Sequence, residues 1–309
     1  MIVNKCPITY QTCTNKYSKK GLAKLSPRLT TLNDIPYTAL EQRHEAASRA
    51  VKMSIQGFQP KLSARLSVKD KSMNIVDCFG TYIIKPQSEL FTQVPENEDL
   101  TMKMAKAFGI EVPLTGLIYS KGGSFSYFIK RFDRYGRNKK YHQEDFAQLT
   151  GNTRDTKYRW SMEKLIPVLD DYCTFPLLEK RRLFRRVLFC FLTGNEDMHL
   201  KNFSLITRGN KVELSPAYDL LNSTISIRNT REEMALPLAG KKRNIRKQDL
   251  FTYYGQDKLQ LSDKTIDSEI KNIANTQQIL KQLILISFLS DEMKLKYIEL
   301  MSNRYDRLS

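Results

Sequence analysis

A polar loop between two apolar segments carries the residues best suited to chemistry. The loop runs from Gly194 to Asn202, with Asp197 and Asn202 five positions apart, and Asp219 follows beyond a short Gly-containing stretch. In the catalytic loops of phosphoryl-transfer enzymes, an aspartate and an asparagine at this separation act as base and Mg²⁺ ligand, and a later aspartate is the second ligand. The spacing therefore predicts phosphoryl transfer from ATP, with Asp197 as base and Asn202 and Asp219 as Mg²⁺ ligands.

Each of these residues has an ordinary structural alternative. The aspartates could cap turns and Asn202 could close a loop. His199 could act as a general base, but a histidine in such a loop can instead order it by hydrogen bonding. Lys201 stands where a cation could meet the transferred phosphoryl group, or it is a solvated surface lysine. The joint spacing of Asp197, Asn202 and Asp219 favours the catalytic interpretation.

A second set of candidate residues lies upstream. Lys85 ends an apolar strand pattern, and Glu98 lies in the helical pattern that follows it. A strand-borne lysine that holds the α and β phosphates, paired with a helix carboxylate, belongs to the active site of protein kinases. The preceding stretch from Ser54 to Lys61 has a single glycine and does not match the Gly-rich kinase loop. Its backbone amides could still cradle phosphates.

The elements that must position these residues change in character along the chain. Strand patterns of alternating or β-branched residues cover 62–68, 81–85, 116–119 and 125–130, with one helical pattern at 98–108. Helical periodicity then covers 176–192, 265–289 and 291–301, and a hairpin covers 203–207 and 211–215. We therefore predict an α+β, bilobal protein-kinase-like fold with a small sheet-rich lobe at 1–131 and a larger helical lobe at 132–309.

Composition limits the remaining possibilities. No stretch reaches the roughly 20 apolar residues that span a bilayer, so we expect a cytoplasmic protein without a membrane partner. The five cysteines lack metal or redox spacing and are expected to be reduced thiols. The net charge of +17 favours an anionic partner, and basic runs at 180–186 and 241–247 are either solvated surface or binding patches.

Several of these strings, in order, resemble the HipA family of serine/threonine kinases, the toxins of bacterial toxin–antitoxin modules. The matching strings are residues 54–61, 83–86, 96–98, 109–113, 131–134, 143–145, 197–203 and 218–219. The resemblance implies a phosphatidylinositol-kinase-like variant of the kinase fold.

By position, the resemblance also implies roles for individual residues. The stretch 56–61 would be the ATP phosphate loop, and 130–132 would be the strand beside adenine. Because Lys130 replaces a family Glu, only main-chain contacts to adenine are carried over there. Ser54 falls on the family's autophosphorylated serine. The implied nucleotide-site residues are Gln56, Gly57, Phe58, Gln59, Lys61, Lys85, Glu98, Lys130, Arg131, Phe132 and Tyr218.

The resemblance further implies partners. Because 53 residues precede Ser54, the chain is similar to the short HipT type, in which a separate small protein supplies the N-terminal subdomain. Substrates among aminoacyl-tRNA synthetases, a DNA-binding antitoxin and contacts of Lys241, Lys242 and Arg243 with operator DNA are also implied. Two alternatives remain open: a phosphotransferase for a small molecule or lipid, and a nucleic-acid-binding corepressor with a kinase scaffold.

Overall fold

A computed structural model describes residues 4–49, 59–153, 155–226 and 232–308 of the chain. The chain divides into two compact units that alternate along the sequence. Unit 1 contains Met1–Leu100, Pro113–Arg134 and Ile286–Leu289, and unit 2 contains Thr101–Val112, Tyr135–Leu285 and Ser290–Ser309. The single boundary after Arg131 stays a prediction.

The first part of the chain contains a five-stranded antiparallel sheet, and helices precede and interrupt its strands in the sequence. Its elements are β1 (Asn4–Lys5), β2 (Thr12–Cys13), α1 (Lys19–Leu25), α2 (Ala39–Arg49), β3 (Leu62–Ser67), β4 (Ser72–Ile75), β5 (Tyr82–Lys85), α3 (Val94–Ala107), β6 (Thr115–Tyr119) and β7 (Phe125–Lys130). The sheet order is β4-β3-β5-β7-β6, and β1 pairs separately with β2.

Cross-strand pairs of large apolar residues hold this sheet together. Ile84 lies opposite Leu62 on one side and Phe128 on the other, and all three are completely buried. Such pairs are the main source of sheet stability. The register places Lys85, the last residue of β5, opposite Tyr127. The apolar alternation therefore brings the candidate phosphate lysine to the end of a central strand.

The remaining elements are mainly helical. They are β8 (Arg134–Tyr135), β9 (Lys139–Lys140), β10 (His142–Asp145), α4 (Phe146–Leu149), α5 (Leu165–Tyr172), α6 (Pro176–Thr193), a 3₁₀ turn (Leu200–Asn202), β11 (Ser204–Arg208), β12 (Lys211–Leu214), α7 (Ser223–Ser226), a π-helix (Asp249–Lys258), α8 (Asp263–Leu285) and α9 (Asp291–Asp306). Strands β10, β11 and β12 form a three-stranded antiparallel sheet.

Helix α6 is the centre of unit 2. Pro176 fills its first turn, where a missing N–H costs nothing, and Gly194 ends it in the left-handed conformation. Its residues at spacings of three and four, including Leu183, Val187 and Phe191, are almost fully buried. The predicted long helix is confirmed, and the candidate catalytic loop follows directly from it.

Two sequence predictions need correction. The helix predicted over 265–289 ends at Leu285, because the next four residues pack in unit 1, where Phe288 meets the rings of Tyr10 and Phe125 at 5.4 and 5.1 Å. The helix predicted from Glu98 begins at Val94 instead.

Ion pairs within unit 2 engage most of the basic run at 180–186, and Arg181 among them is 44% exposed. Lys180 and Arg186 are buried, and Lys180 pairs with Asp170 at 2.7 Å. Arg185 pairs with the buried Glu269 of α8, also at 2.7 Å. Lys180 and Arg185 thus form ion pairs with carboxylates of the same unit. The five cysteines are free, as expected. No helix in the described part of the chain is long and apolar enough to span a membrane.

Candidate active site

The candidate catalytic loop starts at a glycine that no other residue can easily replace. Gly194 has φ +67°, and its N–H donates to the last carbonyls of α6. A Cβ placed there would come within 2.9 Å of side-chain atoms of Asn222, Thr224 and Leu300. Both the backbone conformation and the lack of space therefore require glycine. This close approach lets the loop lie against the segment that follows Asp219.

Asp197 and Asn202 are held together within the loop. The Nδ2 of Asn202 donates to the Asp197 carbonyl at 2.8 Å, and the Asp197 N–H donates to the Asn195 side chain at 3.1 Å. This donation orients the Asn202 amide and leaves its Oδ1 able to accept or to ligate. The Asp197 side chain is 45% exposed, whereas Asn202 is buried. A rigid loop therefore presents an accessible carboxylate.

Hydrogen bonds also tie the loop to the chain after Asp219. The Glu196 N–H donates to Ser223 Oγ at 2.7 Å, and the Thr224 hydroxyl donates to the Glu196 carboxylate at 2.6 Å. Asp219 itself has φ +54°, a left-handed conformation that aspartate adopts more readily than most other non-glycine residues.

Two neighbours of Asp197 had no signal in the sequence. The hydroxyl of Tyr158 donates to the Asp197 carboxylate, and the Tyr158 ring lies edge-on to His199 at 5.0 Å. Lys157 Nζ lies 2.8 Å from His199 Nε2. Both residues come from an irregular segment before α5, so only the fold brings them to the loop. They form a cluster around the candidate base that we call the Tyr158 cluster: Lys157, Tyr158, Asp197 and His199.

His199 is better suited to ordering the loop than to general-base catalysis. Burial lowers the pKa of His199, the negative charge of Asp197 partly opposes this, and the charge of Lys157 lowers it further. Because a lysine ammonium can only donate, His199 Nε2 accepts and Nδ1 carries the proton. Nε2, the nitrogen that could accept a proton from a substrate, is therefore already bonded to Lys157. Of the two sequence interpretations, the structure favours loop ordering.

Lys201 and Tyr218 support the loop from the other side. Lys201 Nζ lies 3.1 Å from the carboxylate of Asp145, which also caps α4. The Tyr218 hydroxyl donates to the Lys201 carbonyl at 3.0 Å and contacts the Ser204 hydroxyl. Burial raises the pKa of Tyr218, so it stays protonated. These bonds give both residues a positioning role, and their predicted contacts with phosphate and nucleotide remain predictions.

In unit 1 the structure brings Lys85 and Glu98 together. Lys85 Nζ lies 2.6 Å from Glu98 Oε1, and their side chains are only 5% and 1% exposed. The ammonium also lies 5.6 Å from the centroid of the Tyr127 ring. A pair buried this deeply costs desolvation energy, so stability alone is a weak reason for its presence. The geometry is the one expected of a phosphate-binding lysine and its partner carboxylate.

The rest of the predicted nucleotide site is only partly described. Ser54, Gln56, Gly57 and Phe58 lie outside the described residues. Gln59 and Lys61 are partly buried.

At the predicted adenine strand, the Lys130 N–H donates to the Leu114 carbonyl at 2.8 Å, and the Arg131 N–H donates to the Thr81 carbonyl at 2.9 Å. Neither amide can donate to adenine. Of the main-chain groups expected to contact adenine, the carbonyl groups of Lys130 and Arg131 and the backbone of Phe132 remain as candidates.

The predicted DNA-binding run at 241–247 is partly neutralised. Lys241 pairs with Asp249 at 2.9 Å and Lys242 with Glu232 at 3.3 Å. Arg243 is exposed. Two of its three named cations therefore already have carboxylate partners.

The donor set in unit 2 suits magnesium by its chemistry. Mg²⁺ prefers a few hard oxygen ligands from carboxylates and amides together with phosphate oxygens. Asp219 supplies a carboxylate, and Asn202 has its Oδ1 left over after Nδ2 has donated. No group of three or more His, Cys, Asp or Glu side chains among the described residues is arranged to hold a metal. A set of two protein ligands would need nucleotide phosphates to complete it, as in kinases.

The fold and these two sets of residues define a protein of the kinase-like class, and comparison with known proteins makes this more specific. The model of the HipA-like C-terminal domain matches residues 53–281, so the chain belongs to this family. The predicted family resemblance and the mixed α+β fold class are confirmed.

Two solved structures have a similar fold. HipA of Shewanella oneidensis, solved with HipB and operator DNA, matches with a TM-score of 0.70 and 21% identity over 91% of this chain and 73% of that one. The proinflammatory kinase CtkA of Helicobacter pylori matches with a TM-score of 0.53 and 17% identity over 73% of this chain and 86% of that one.

Curated relatives carry kinase names. A putative kinase of Haemophilus influenzae is 33% identical over 70% of this chain and 66% of its own length. The serine/threonine-protein kinase toxin HipA of Shewanella oneidensis is 27% identical over 55% of this chain and 43% of its own length. The chain thus spans between 43% and 66% of these two relatives.

Proposed function

We propose that this protein is an ATP- and Mg²⁺-dependent serine/threonine protein kinase that acts as the toxin of a toxin–antitoxin system. The observation that carries the proposal is the loop in which Asn202 is bonded to the backbone of Asp197 and the Asp197 carboxylate remains accessible. The Lys85–Glu98 pair supports it independently, because a buried ion pair at a strand end is explained by phosphate binding better than by stability.

The proposed reaction uses each residue in one role. Lys85 binds nucleotide phosphates, while Glu98 holds its ammonium in place. Asp197 orients the acceptor serine and receives its proton as the serine oxygen bonds to the γ-phosphorus and the bond to ADP breaks. Asn202 and Asp219 hold Mg²⁺, which when bound offsets charge on the phosphates. Tyr158 donates to Asp197 and keeps the carboxylate oriented.

The proposed substrate and partners are those that the family resemblance implies. The proposed acceptor is a serine of a protein, with aminoacyl-tRNA synthetases as the first candidates. The HipA structure contains HipB and operator DNA, which supports a DNA-binding antitoxin as a partner here. A small N-subdomain-like protein is a further proposed partner, as in the HipT type. If operator DNA is contacted through 241–243, Arg243 contributes most, because Lys241 and Lys242 already pair with carboxylates.

Ser54 is the proposed autophosphorylation site. It lies two residues before the proposed phosphate loop at 56–61. A dianionic phosphate there would repel the nucleotide phosphates and compete for the loop amides. Modification of Ser54 would therefore lower ATP binding and silence the kinase.

Mass spectrometry tests the proposal directly. The parent, Asp197→Asn and Ser54→Ala are purified without nucleotide, treated with phosphatase and incubated with Mg-ATP and an extract of heat-inactivated cellular proteins. We expect phosphate on Ser54 and on protein serines of the extract with the parent, and none with Asp197→Asn. Phosphate on small molecules or lipids alone, or equal transfer by both proteins, would contradict the proposal.

The Ser54→Ala variant separates regulation from catalysis. It should phosphorylate extract proteins for longer than the parent, because it cannot silence itself. If transfer by the parent stops early without any modification of Ser54, the proposed brake is wrong while kinase activity stands.

A further inference from the structure

The β8–β9 hairpin is a strongly basic and exposed feature of the chain. Residues 134–141 contain four cations (Arg134, Arg137, Lys139 and Lys140) and no acidic residue. All positions from 135 to 140 are exposed. A short hairpin that buries so little gains little stability from its own core. The concentration of charge on it calls for a functional explanation.

Three of the four hairpin cations lack a carboxylate partner in the described part of the chain. Among the residues that the structure describes, none forms an ion pair with Arg137, Lys139 or Lys140, and only Arg134 contacts an acid, Asp133, at 3.7 Å. Intramolecular pairs occupy Lys241 and Lys242. Three adjacent unpaired cations leave a local excess of positive charge, which attracts a polyanion.

An aromatic stack lies within the same hairpin. The rings of Tyr135 and Tyr141 are stacked, with centroids 4.2 Å apart and planes 21° apart. The Arg208 guanidinium lies 5.9 Å from the Tyr141 centroid and also pairs with Glu111 and Glu213. Arg208 and Tyr135 both contact the Tyr141 ring. Tyr135 remains 42% exposed, so the hairpin carries an accessible aromatic ring.

The β8–β9 hairpin is connected directly to a strand of the three-stranded sheet. Strand β10 follows Tyr141 at once and pairs with β11 in the register His142 opposite Thr207. Of the acids next to the hairpin in sequence, Asp133 contacts Arg134 and Glu144 lies 3.7 Å from His142. The base of the hairpin is thus held in place, and its cations and ring project from a fixed edge.

We propose that this hairpin binds single-stranded RNA, with Tyr135 stacking on an unpaired base and Arg137, Lys139 and Lys140 contacting phosphates. Cations beside an exposed aromatic ring are the features that recognise single strands, because each base has a face for stacking and each nucleotide a phosphate. A duplex hides its base faces, and unpaired bases occur mainly in RNA loops and ends. The residues of this surface are other than those proposed for catalysis, so it would add RNA binding to the kinase.

Fluorescence anisotropy with the full chain tests this proposal. The probe is a fluorescein-labelled oligouridylate of about 15 nucleotides, titrated over about 50 to 200 mM salt. We expect Tyr135→Ala to weaken binding by about 5- to 100-fold, and Tyr135→Phe to stay within about 2-fold of the parent, because only the ring is needed. Arg137→Gln/Lys139→Gln/Lys140→Gln should reduce the slope of log K against log salt by about 2, at about 0.7 per lost contact.

A charge-matched control comes from helix α8. Lys264, Lys271 and Lys281 are exposed, and Lys264→Gln/Lys271→Gln/Lys281→Gln changes the net charge by the same amount. This control should bind RNA like the parent. Equal losses in the two triple variants, or no loss in Tyr135→Ala, would overturn the proposal. So would tighter binding to duplex DNA, stronger binding to oligothymidylate than to RNA, or binding of labelled polyglutamate with no measurable RNA binding.

Discussion

The buried Lys85–Glu98 pair gives a prediction in which stability and activity separate. The two groups lie 2.6 Å apart with exposures of 5% and 1%. Removing one partner leaves the other charge buried without its counterion, which typically costs about 3–5 kcal/mol. We therefore expect Glu98→Leu and Lys85→Met each to lower the free energy of unfolding by about this amount.

Replacing both partners should restore most of the stability. Lys85→Met/Glu98→Leu puts two apolar side chains of similar size where two charges had to be desolvated, and such exchanges are often neutral or stabilising. We expect the double variant to lie within about 1–2 kcal/mol of the parent. Its ATP affinity and phosphoryl transfer should nevertheless be lost, because the proposed phosphate-binding cation is gone.

The assay combines urea unfolding, followed by circular dichroism, with calorimetric titration of Mg-ATP. Circular dichroism is preferred because the only tryptophan, Trp160, lies in unit 2 and does not report on unit 1. Normal ATP turnover by the double variant would refute the phosphate role of Lys85. Two single variants as stable as the parent would refute the energetic argument for the pair.

Three further predictions concern the loop and the pH dependence. Tyr158→Phe removes the hydroxyl that donates to Asp197 and should lower kcat about 10-fold with little change in KM. An unchanged or higher kcat would mean that Tyr158 does not position the base. Gly194→Ala should lower the free energy of unfolding in urea by about 2–4 kcal/mol, because it adds a steric clash to backbone strain. Gly209 has φ +61° but open space around it, so Gly209→Ala should cost only about 1 kcal/mol. Equal losses in the two variants would refute the close approach at Gly194. Burial raises the pKa of Glu96 to about 7 from 4.5, so its stability contribution is present below pH 4.5 and lost as pH rises through about 7. Unfolding at a series of pH values should show the parent losing up to about 3 kcal/mol relative to Glu96→Gln over this range, and parallel curves would contradict the assignment.

Long periodic patterns and the linear spacing of motifs were readable from the sequence. Helix α6 is predictable because its apolar residues recur at three and four over 18 residues. The Lys85–Glu98 pair is predictable because a strand end and a following helix constrain where the two side chains can meet. Asp197 and Asn202 are close in sequence, so the prediction of a shared loop needs no long-range information.

Features that depend on tertiary contacts were missed. Tyr158 lies in an irregular segment, and it reaches Asp197 because the backbone of the loop bonds to that segment, with the Leu200 N–H donating to the Lys157 carbonyl at 3.4 Å. The early end of α8 arises from the packing of Phe288 in unit 1. The basic run on α6 could not be recognised as internally paired, because its partners Asp170 and Glu269 lie on other helices.

The central claim is that Asp197 acts in the chemical step while Asn202 and Asp219 hold magnesium. Titration of ATP into the parent, Asp197→Asn and Asp219→Asn, with and without Mg²⁺, tests it most directly. We predict that Asp197→Asn binds Mg-ATP like the parent but transfers no phosphate, and that Asp219→Asn loses the Mg²⁺-dependent part of the affinity. Tight Mg-ATP binding by Asp219→Asn, together with weak binding by Asp197→Asn, would contradict the claim.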